Sequence, residues 1–166
     1  MYFLDLDDTL FPTSDIHNLG EEFERWRGAV KALLEKMAIV SVVTMASRPW
    51  IDEVRALSPV MATLPIFSCP EHGCSKEDAF TEIFSKIQTA TSCRLSVVSV
   101  GDMPNDVHQC AAAFKRLKTP GTTFTGVKFL CRPTATTLCD ELELLEESLE
   151  CISLGRRSLW TVQSYS

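Results

Sequence analysis

Residues 2–11 read YFLDLDDTLF, a short apolar run followed by closely spaced acidic side chains. In an extended chain, residues two apart share a face, so Asp5 and Asp7 can converge on one point. Carboxylates at the end of a buried strand lie where a ligand or a metal can offset their cost of desolvation. Taken alone, the pair also fits a solvated turn, because Asp is a common turn residue. The rest of the chain decides between these two interpretations.

The composition is typical of one globular domain. The chain has 166 residues, of which 45% are hydrophobic and 23% are charged, and that length is enough for a full core. The net charge of -6 disfavours a nucleic-acid partner, which would require a basic face. We expect a single domain over residues 1–154 and a C-terminal tail over residues 155–166, where the helical periodicity is lost.

No apolar stretch approaches the ~20 residues that a membrane-spanning helix needs, and the N-terminus does not resemble a signal peptide. We therefore expect a cytoplasmic protein without a membrane partner. The apolar run before Asp5 is short, and an incomplete N-terminus is one explanation for it. The seven cysteines lack the paired spacing of a disulfide framework and are expected to be reduced. Cys69, His72 and Cys74 offer three soft ligands, but a structural zinc needs a fourth, so we expect ordinary loop residues there.

Apolar runs alternate with stretches of helical period, a pattern typical of an α/β fold with a parallel sheet. The expected strands cover residues 2–4, 38–44, 64–68, 95–100 and 126–130. The expected helices cover residues 19–37, 48–58, 76–90, 104–117 and 134–151. Ser47 and Ser75 are expected helix N-caps, and Pro104 suits a first helical turn.

A second acidic group follows the fourth expected strand, in the sequence GDMPND at residues 101–106. Alone, it also fits an acidic helix start that the helix dipole favours. Two parallel strands that both end in Asp, however, place Asp5, Asp7, Asp102 and Asp106 near one edge of the sheet. Because such a cluster repels itself, a hard divalent cation is expected there, and Mg²⁺ fits best.

Two further residues complete a candidate phosphate site. Thr44 ends the second expected strand and offers a hydroxyl at the same edge, with Ser47 as the alternative hydroxyl. Lys76 opens a helix, where the dipole disfavours a cation, so an inward-pointing ammonium that binds a phosphoryl group explains its position. A solvent-exposed charge is the other interpretation of Lys76.

Taken in order, these motifs resemble those of the haloacid dehalogenase (HAD) superfamily of aspartyl-phosphate hydrolases. The resemblance spans most of the chain and rests on Asp5, Asp7 and Thr9, then Thr44, then Lys76, then Gly101, Asp102 and Asp106. It implies a doubly wound parallel sheet, a Rossmann-like core in three layers, with the first strand central and the Gly-Asp strand beside it.

The resemblance also implies a magnesium-dependent phosphatase in which Asp5 attacks phosphorus and Asp7 is the general acid and base. Metal ligands would come from Asp5, Asp102 and the main-chain carbonyl of Asp7. Thr44 and Lys76 would bind the transferring oxygens. Asp106 would tune the metal or the lysine without contacting the phosphoryl group itself. The acid at position 7 favours a phosphatase or a phosphotransferase over a dehalogenase.

The substrate of this inferred enzyme is a phosphorylated protein or small molecule. Relatives that act on small metabolites commonly insert a cap domain, but residues 6–43 and 45–75 leave no room for a full one, which suggests a bulky or phosphoprotein substrate. Arg48, Trp50 and residues 12–17 are candidate contacts for the leaving group, although a core position also explains Trp50. The rival interpretations are a noncatalytic binding module and a phosphotransferase whose acceptor is not water.

Overall fold

The strands of the molecule form one parallel sheet. A computed structural model of the chain describes residues 1–90, 95–117, 122–153 and 160–161. Its strands are β1 (Tyr2–Leu4), β2 (Val40–Thr44), β3 (Ile66–Ser68), β4 (Ser96–Gly101), β5 (Thr123–Lys128) and β6 (Trp160–Thr161). They pair in the order β3-β2-β1-β4-β5-β6, and every pairing is parallel. The first strand is therefore central, with β4 beside it, as expected.

Helices connect these strands and cover both faces of the sheet. They are α1 (Leu19–Lys36), α2 (Arg48–Leu57), α3 (Pro59–Ala62), α4 (Cys69–His72), α5 (Lys76–Ala90), α6 (Pro104–Lys115) and α7 (Ala135–Ser153). A 3-10 helix, Thr13–Asn18, precedes α1. All five expected helices are present, with ends that shift by no more than a few residues. The short α3, α4 and 3-10 helices were not expected. Among the described helices, none has both the length and the hydrophobicity to cross a membrane.

Alternation along the strands divides the core into two apolar clusters. Leu4 of β1 packs in one cluster with Trp26 of α1 and residues of α7. Its neighbour Phe3 packs in the other, where its ring makes edge-to-face contacts with Phe80 and Phe84 of α5. Because successive strand residues point to opposite faces, this separation gives three layers, with helices on either side of the sheet.

The fifth expected strand is present, but its bounds differ from those expected. It was placed at residues 126–130 on the strength of an apolar run, whereas β5 is Thr123–Lys128. The strand pairs with the whole of β4, from Ser96 opposite Thr123 to Gly101 opposite Lys128. Pairing with a buried neighbour therefore sets its bounds, and local hydrophobicity does not.

The two expected N-caps differ. Ser75 Oγ accepts a hydrogen bond from the Asp78 amide at 3.1 Å, and Asp78 in turn accepts from the Ser75 amide. Ser47 occupies the N-cap position of α2, but its side chain makes no capping bond. Most of the expected tail, residues 155–159 and 162–166, lies outside the described part of the chain. Cys93 lies outside it as well, and the described cysteines are free thiols.

Candidate active site

The carboxyl ends of the central strands bring the expected site residues together. Asp5 follows β1, Thr44 ends β2 and Asp102 follows β4, and β1 lies between the other two strands. Parallel strands all end at the same edge, so three polar side chains converge there. The helices that begin at this edge add Lys76, the first residue of α5, and Asp106, in the first turn of α6.

Lys76 is the centre of the site. Its Nζ lies 2.7 Å from Asp5 Oδ1 and 2.6 Å from Asp106 Oδ1, and the side chain is only 5% exposed. The expectation of an inward-pointing ammonium is confirmed, and the solvent-exposed alternative was wrong. Burial opposes the charge on this lysine, but the attraction of Asp5 and Asp106 outweighs it and raises the pKa of Lys76.

The buried carboxylates near Lys76 carry more negative charge than this one ammonium can neutralise. Burial, partly countered by Lys76, raises the pKa of Asp5 to about 6. Burial, together with the charges of Asp5 and Asp106, raises the pKa of Asp102 to about 7. The buried Asp5 Oδ1 pairs with the Lys76 ammonium at 2.7 Å, and no other described residue donates a hydrogen bond to it. Three buried acidic groups therefore lie close together, and one ammonium pairs with only two of them, so the free-energy cost of ionising all three is large.

The donor set fits a hard divalent cation. One oxygen from each of Asp5, Asp102 and Asp106 can be chosen so that all three lie within 4.8 Å of one another. Carboxylate oxygens are the ligands that Mg²⁺ prefers. Asp106, which was expected to tune the metal or the lysine, belongs to this group of possible ligands, and the carboxylate of Asp7 does not.

No other group of three potential metal ligands occurs within the described ranges of the chain. Cys69, His72 and Cys74 accordingly do not form one. His72 Nδ1 instead lies 2.9 Å from the carbonyl oxygen of Ser68, and the His72 ring stacks on Phe67.

Asp7 does not belong to this cluster, and residues of the loop and of α2 hold its side chain. Its Oδ1 accepts hydrogen bonds from Thr13 Oγ1 at 2.6 Å and from Trp50 Nε1 at 2.8 Å. The next residue, Asp8, has a φ of 53°, and its carboxylate accepts hydrogen bonds from the amide and the hydroxyl of Ser14. The loop thus turns back at Asp8. This turn sets the direction of the neighbouring Asp7 side chain.

Two threonine hydroxyls at the sheet edge accept hydrogen bonds from backbone amides. Thr9 Oγ1 accepts a hydrogen bond from the Asp102 amide at 3.0 Å, which joins the ends of β1 and β4. Thr44 is fully buried, and its Oγ1 accepts from the Ala46 amide at 3.0 Å. Since a hydroxyl that accepts can still donate its hydrogen, Thr44 keeps a donor for a ligand. Ser47, the alternative hydroxyl, is exposed.

Arg48, a candidate contact for the leaving group, is half exposed at the start of α2. Its guanidinium lies 3.1 Å from Asp52 and 3.8 Å from Glu71. A substrate contact by Arg48 stays a prediction. Trp50 was expected either in the core or at the leaving group, and its bond to Asp7 is a role that the sequence did not indicate. Thr13 and Ser14 were likewise expected only as loop residues.

Gly101 permits the close approach of α6 to β4. A Cβ atom at this position would lie 2.4 Å from Asp106 Cβ and 2.8 Å from Asp106 Oδ2. That oxygen also accepts a hydrogen bond from the Met103 amide at 3.0 Å. The absence of a side chain at position 101 therefore lets Asp106 reach Lys76.

Gly101→Ala is expected to lower the free energy of unfolding by about 1–3 kcal/mol, because Asp106 must shift to make room. Gly28→Ala is the matched control, since a Cβ there meets nothing within 4 Å. In the middle of α1, that change should raise stability by about 0.5–1 kcal/mol. Urea denaturation of the two variants measures both effects. Changes of equal sign in the free energy of unfolding of the two variants would contradict the close approach of Asp106 to Gly101.

Comparison of the chain with protein-family models, with curated proteins and with solved structures finds no match in any of the three. The class of the protein therefore follows from its fold and its site alone. It is an α/β protein with a parallel sheet, and the carboxyl edge of that sheet holds an acidic cluster around a buried lysine.

Proposed function

We propose that this protein is a magnesium-dependent phosphatase of the HAD type. The observation that carries the proposal is the Lys76 ammonium between Asp5 and Asp106, with Asp102 within reach of a shared cation. A buried lysine among carboxylates is a poor way to stabilise a fold, because desolvation of the charges offsets their attraction. It does suit a site that must bind a phosphate dianion next to an anionic nucleophile.

The carboxylate of Asp5 attacks phosphorus in line with the ester oxygen. As the P–O bond breaks, its electron pair leaves with that oxygen, which takes a proton from Asp7. Water then attacks the aspartyl phosphate and gives a proton back to Asp7, and inorganic phosphate is released. Both carboxyl groups thus return to their starting states, and one ester bond has been hydrolysed.

The other residues of the site stabilise charge on the phosphoryl group. Lys76 and the Thr44 hydroxyl bind the phosphoryl oxygens, where negative charge spreads in the transition state. Asp106 pairs with the Lys76 ammonium and holds it in place. Asp5 and Asp102, with Asp106 nearby, would hold Mg²⁺, which when bound reduces the repulsion between the nucleophile and the phosphate.

The segments that could carry a cap domain are short and fully described. Residues 6–43 form the loop, the 3-10 helix, α1 and most of β2, and residues 45–75 form α2, α3, β3 and α4. Neither segment contains a separate domain, so the proposal includes an open cleft and a bulky or phosphoprotein substrate.

Hydrolysis of p-nitrophenyl phosphate in the presence of Mg²⁺ tests the proposed activity. The purified chain should release p-nitrophenol with the metal and lose that activity with a chelator. A chain that is folded but inactive under both conditions would contradict the proposal.

Mg²⁺ binding is expected to strengthen as the pH rises from 5.5 to 8. The pKa of Asp5 is raised to about 6 and that of Asp102 to about 7, so protons occupy the ligands below these values. The same raised pKa values mean that the metal-free protein loses stability as the pH rises over this range. Calorimetric titration with Mg²⁺ at the two pH values measures the effect.

Asp102→Asn should weaken this binding by about tenfold or more, because it removes one of the charged ligands. Asp140→Asn is the matched control, since Asp140 is exposed and pairs with Arg25. Equal Mg²⁺ affinity at pH 5.5 and pH 8, or equal affinity of the two variants, would contradict the assignment of the ligands.

A further inference from the structure

Two hydrogen bonds from different elements meet on one oxygen of Asp7. The donors are Thr13 Oγ1, at the start of the 3-10 helix, and Trp50 Nε1, in the first turn of α2. The indole is itself held in place, because its ring packs edge to face on Phe11 with centroids 5.6 Å apart. Phe11 packs in the same manner on the buried Trp26. Edge-to-face packing of these three rings therefore sets the direction of the Trp50 N–H.

The pattern of donors distinguishes the two oxygens of Asp7. A carboxyl oxygen has two lone pairs, and the two donors use both of those on Oδ1. Among the described residues, none donates a hydrogen bond to Oδ2. A proton on Asp7 accordingly resides on Oδ2, with Oδ1 as the carbonyl-type oxygen. Both donors can stay bound when the proton leaves, so the orientation of the group survives a catalytic cycle.

We propose that Trp50 and Thr13 are positioning residues that hold Asp7 by Oδ1 and so aim Oδ2 at the leaving ester oxygen. This inference rests on the proposed function. In the first step the Oδ2 proton moves to the ester oxygen, which also takes the electron pair of the breaking P–O bond. In the second step Oδ2 takes a proton from the water that attacks the aspartyl phosphate.

The position of Trp50 in the fold connects this acid to the phosphate subsite. Trp50 lies in the first turn of the helix that follows Thr44, the residue that ends β2. A single strand-to-helix connection thus places the phosphate-binding hydroxyl and the donor that orients the acid. Fixed geometry between these two groups is what proton transfer to a leaving oxygen requires.

The test compares two substrates that differ in their need for a proton. Phenyl phosphate has a basic leaving group that must be protonated, whereas 2,4-dinitrophenyl phosphate has one that leaves as the anion. Trp50→Phe and Thr13→Val should each lower kcat/KM for phenyl phosphate by about 10- to 100-fold. For the dinitrophenyl ester we expect a loss of less than about threefold, because this reaction bypasses the acid.

Trp26→Phe is the matched control, since it removes an indole N–H from the same group of packed rings and keeps an aromatic ring there. That N–H bonds to the Leu10 carbonyl oxygen and not to Asp7, so both substrates should change by one common factor. Equal losses on the two substrates in Trp50→Phe would overturn the inference. If Trp50→Phe does not fold, Thr13→Val tests the same prediction with the tryptophan in place.

The activity of the wild-type chain distinguishes a failure of the proposed function from a failure of the positioning role of Trp50 and Thr13. A wild-type chain that hydrolyses neither ester overturns the proposed function and this inference with it. An active wild-type chain whose Trp50 and Thr13 variants lose both esters equally overturns the inference alone.

Discussion

Asp5→Asn should lower the rate of p-nitrophenyl phosphate hydrolysis by about 1,000-fold or more, because the amide cannot form the covalent intermediate. The substitution changes one atom and keeps the shape of the side chain. Lys76 retains its second partner, since Asp106 Oδ1 lies 2.6 Å from the ammonium. The loss of activity is therefore expected without a loss of the fold.

The stability of the same variant distinguishes a nucleophile from a structural carboxylate. The pKa of Asp5 is raised to about 6, so in the metal-free protein its ionised form costs stability at neutral pH. Asp5→Asn removes that cost, and its thermal midpoint at pH 7.5 should equal or exceed that of the wild type. Asp140→Asn serves as the control that keeps full activity. Equal rates for Asp5→Asn and the wild type would refute the assignment of the nucleophile.

Lys76→Met should have the largest effect on stability. It removes the cation between two buried carboxylates and leaves their charges uncompensated. We expect the free energy of unfolding at pH 7.5, without metal, to fall by about 3–5 kcal/mol. Activity should fall as well, because the phosphoryl oxygens lose their main cation. Urea denaturation and the p-nitrophenyl phosphate assay measure the two effects.

The destabilisation should diminish when the pH is lowered towards 5. Asp5 already has a raised pKa beside Lys76, and it takes up a proton at low pH, which removes the repulsion. Lys86→Met is the matched control on the same helix. Lys86 is 73% exposed and pairs with Glu82, so its loss should change stability by less than about 0.5 kcal/mol. A Lys76→Met variant as stable as Lys86→Met would contradict a buried ion-pair network.

The residues of the acidic cluster could be predicted from the sequence because their motifs occur together and in order, although each motif alone also fits a turn or a helix start. Asp5 and Asp102 end apolar strands, and Lys76 opens a helix against the dipole. In a parallel sheet the strand ends share one edge, so the order of the elements brings these side chains together. The sheet order and the bonds from Lys76 to Asp5 and Asp106 agree with that prediction.

The surroundings of Asp7 could not be predicted in the same way. A tryptophan in the first turn of a helix fits a core position as well as a polar one, and its bond to Asp7 joins residues far apart in the chain. Thr13 and Asp8 depend on a left-handed turn that many loop sequences permit. The bounds of β5 depend on its pairing with β4. In each case a tertiary contact decides the outcome.

Chemical trapping of the acyl phosphate tests the central claim most directly. The protein, with Mg²⁺ and p-nitrophenyl phosphate, is quenched during turnover and treated with borohydride, which reduces an aspartyl phosphate to homoserine. Tandem mass spectrometry of the tryptic peptide over residues 1–25 then locates the change. We predict homoserine at position 5, dependent on substrate. Turnover with Asp5 unmodified, or homoserine at another aspartate, would contradict the account.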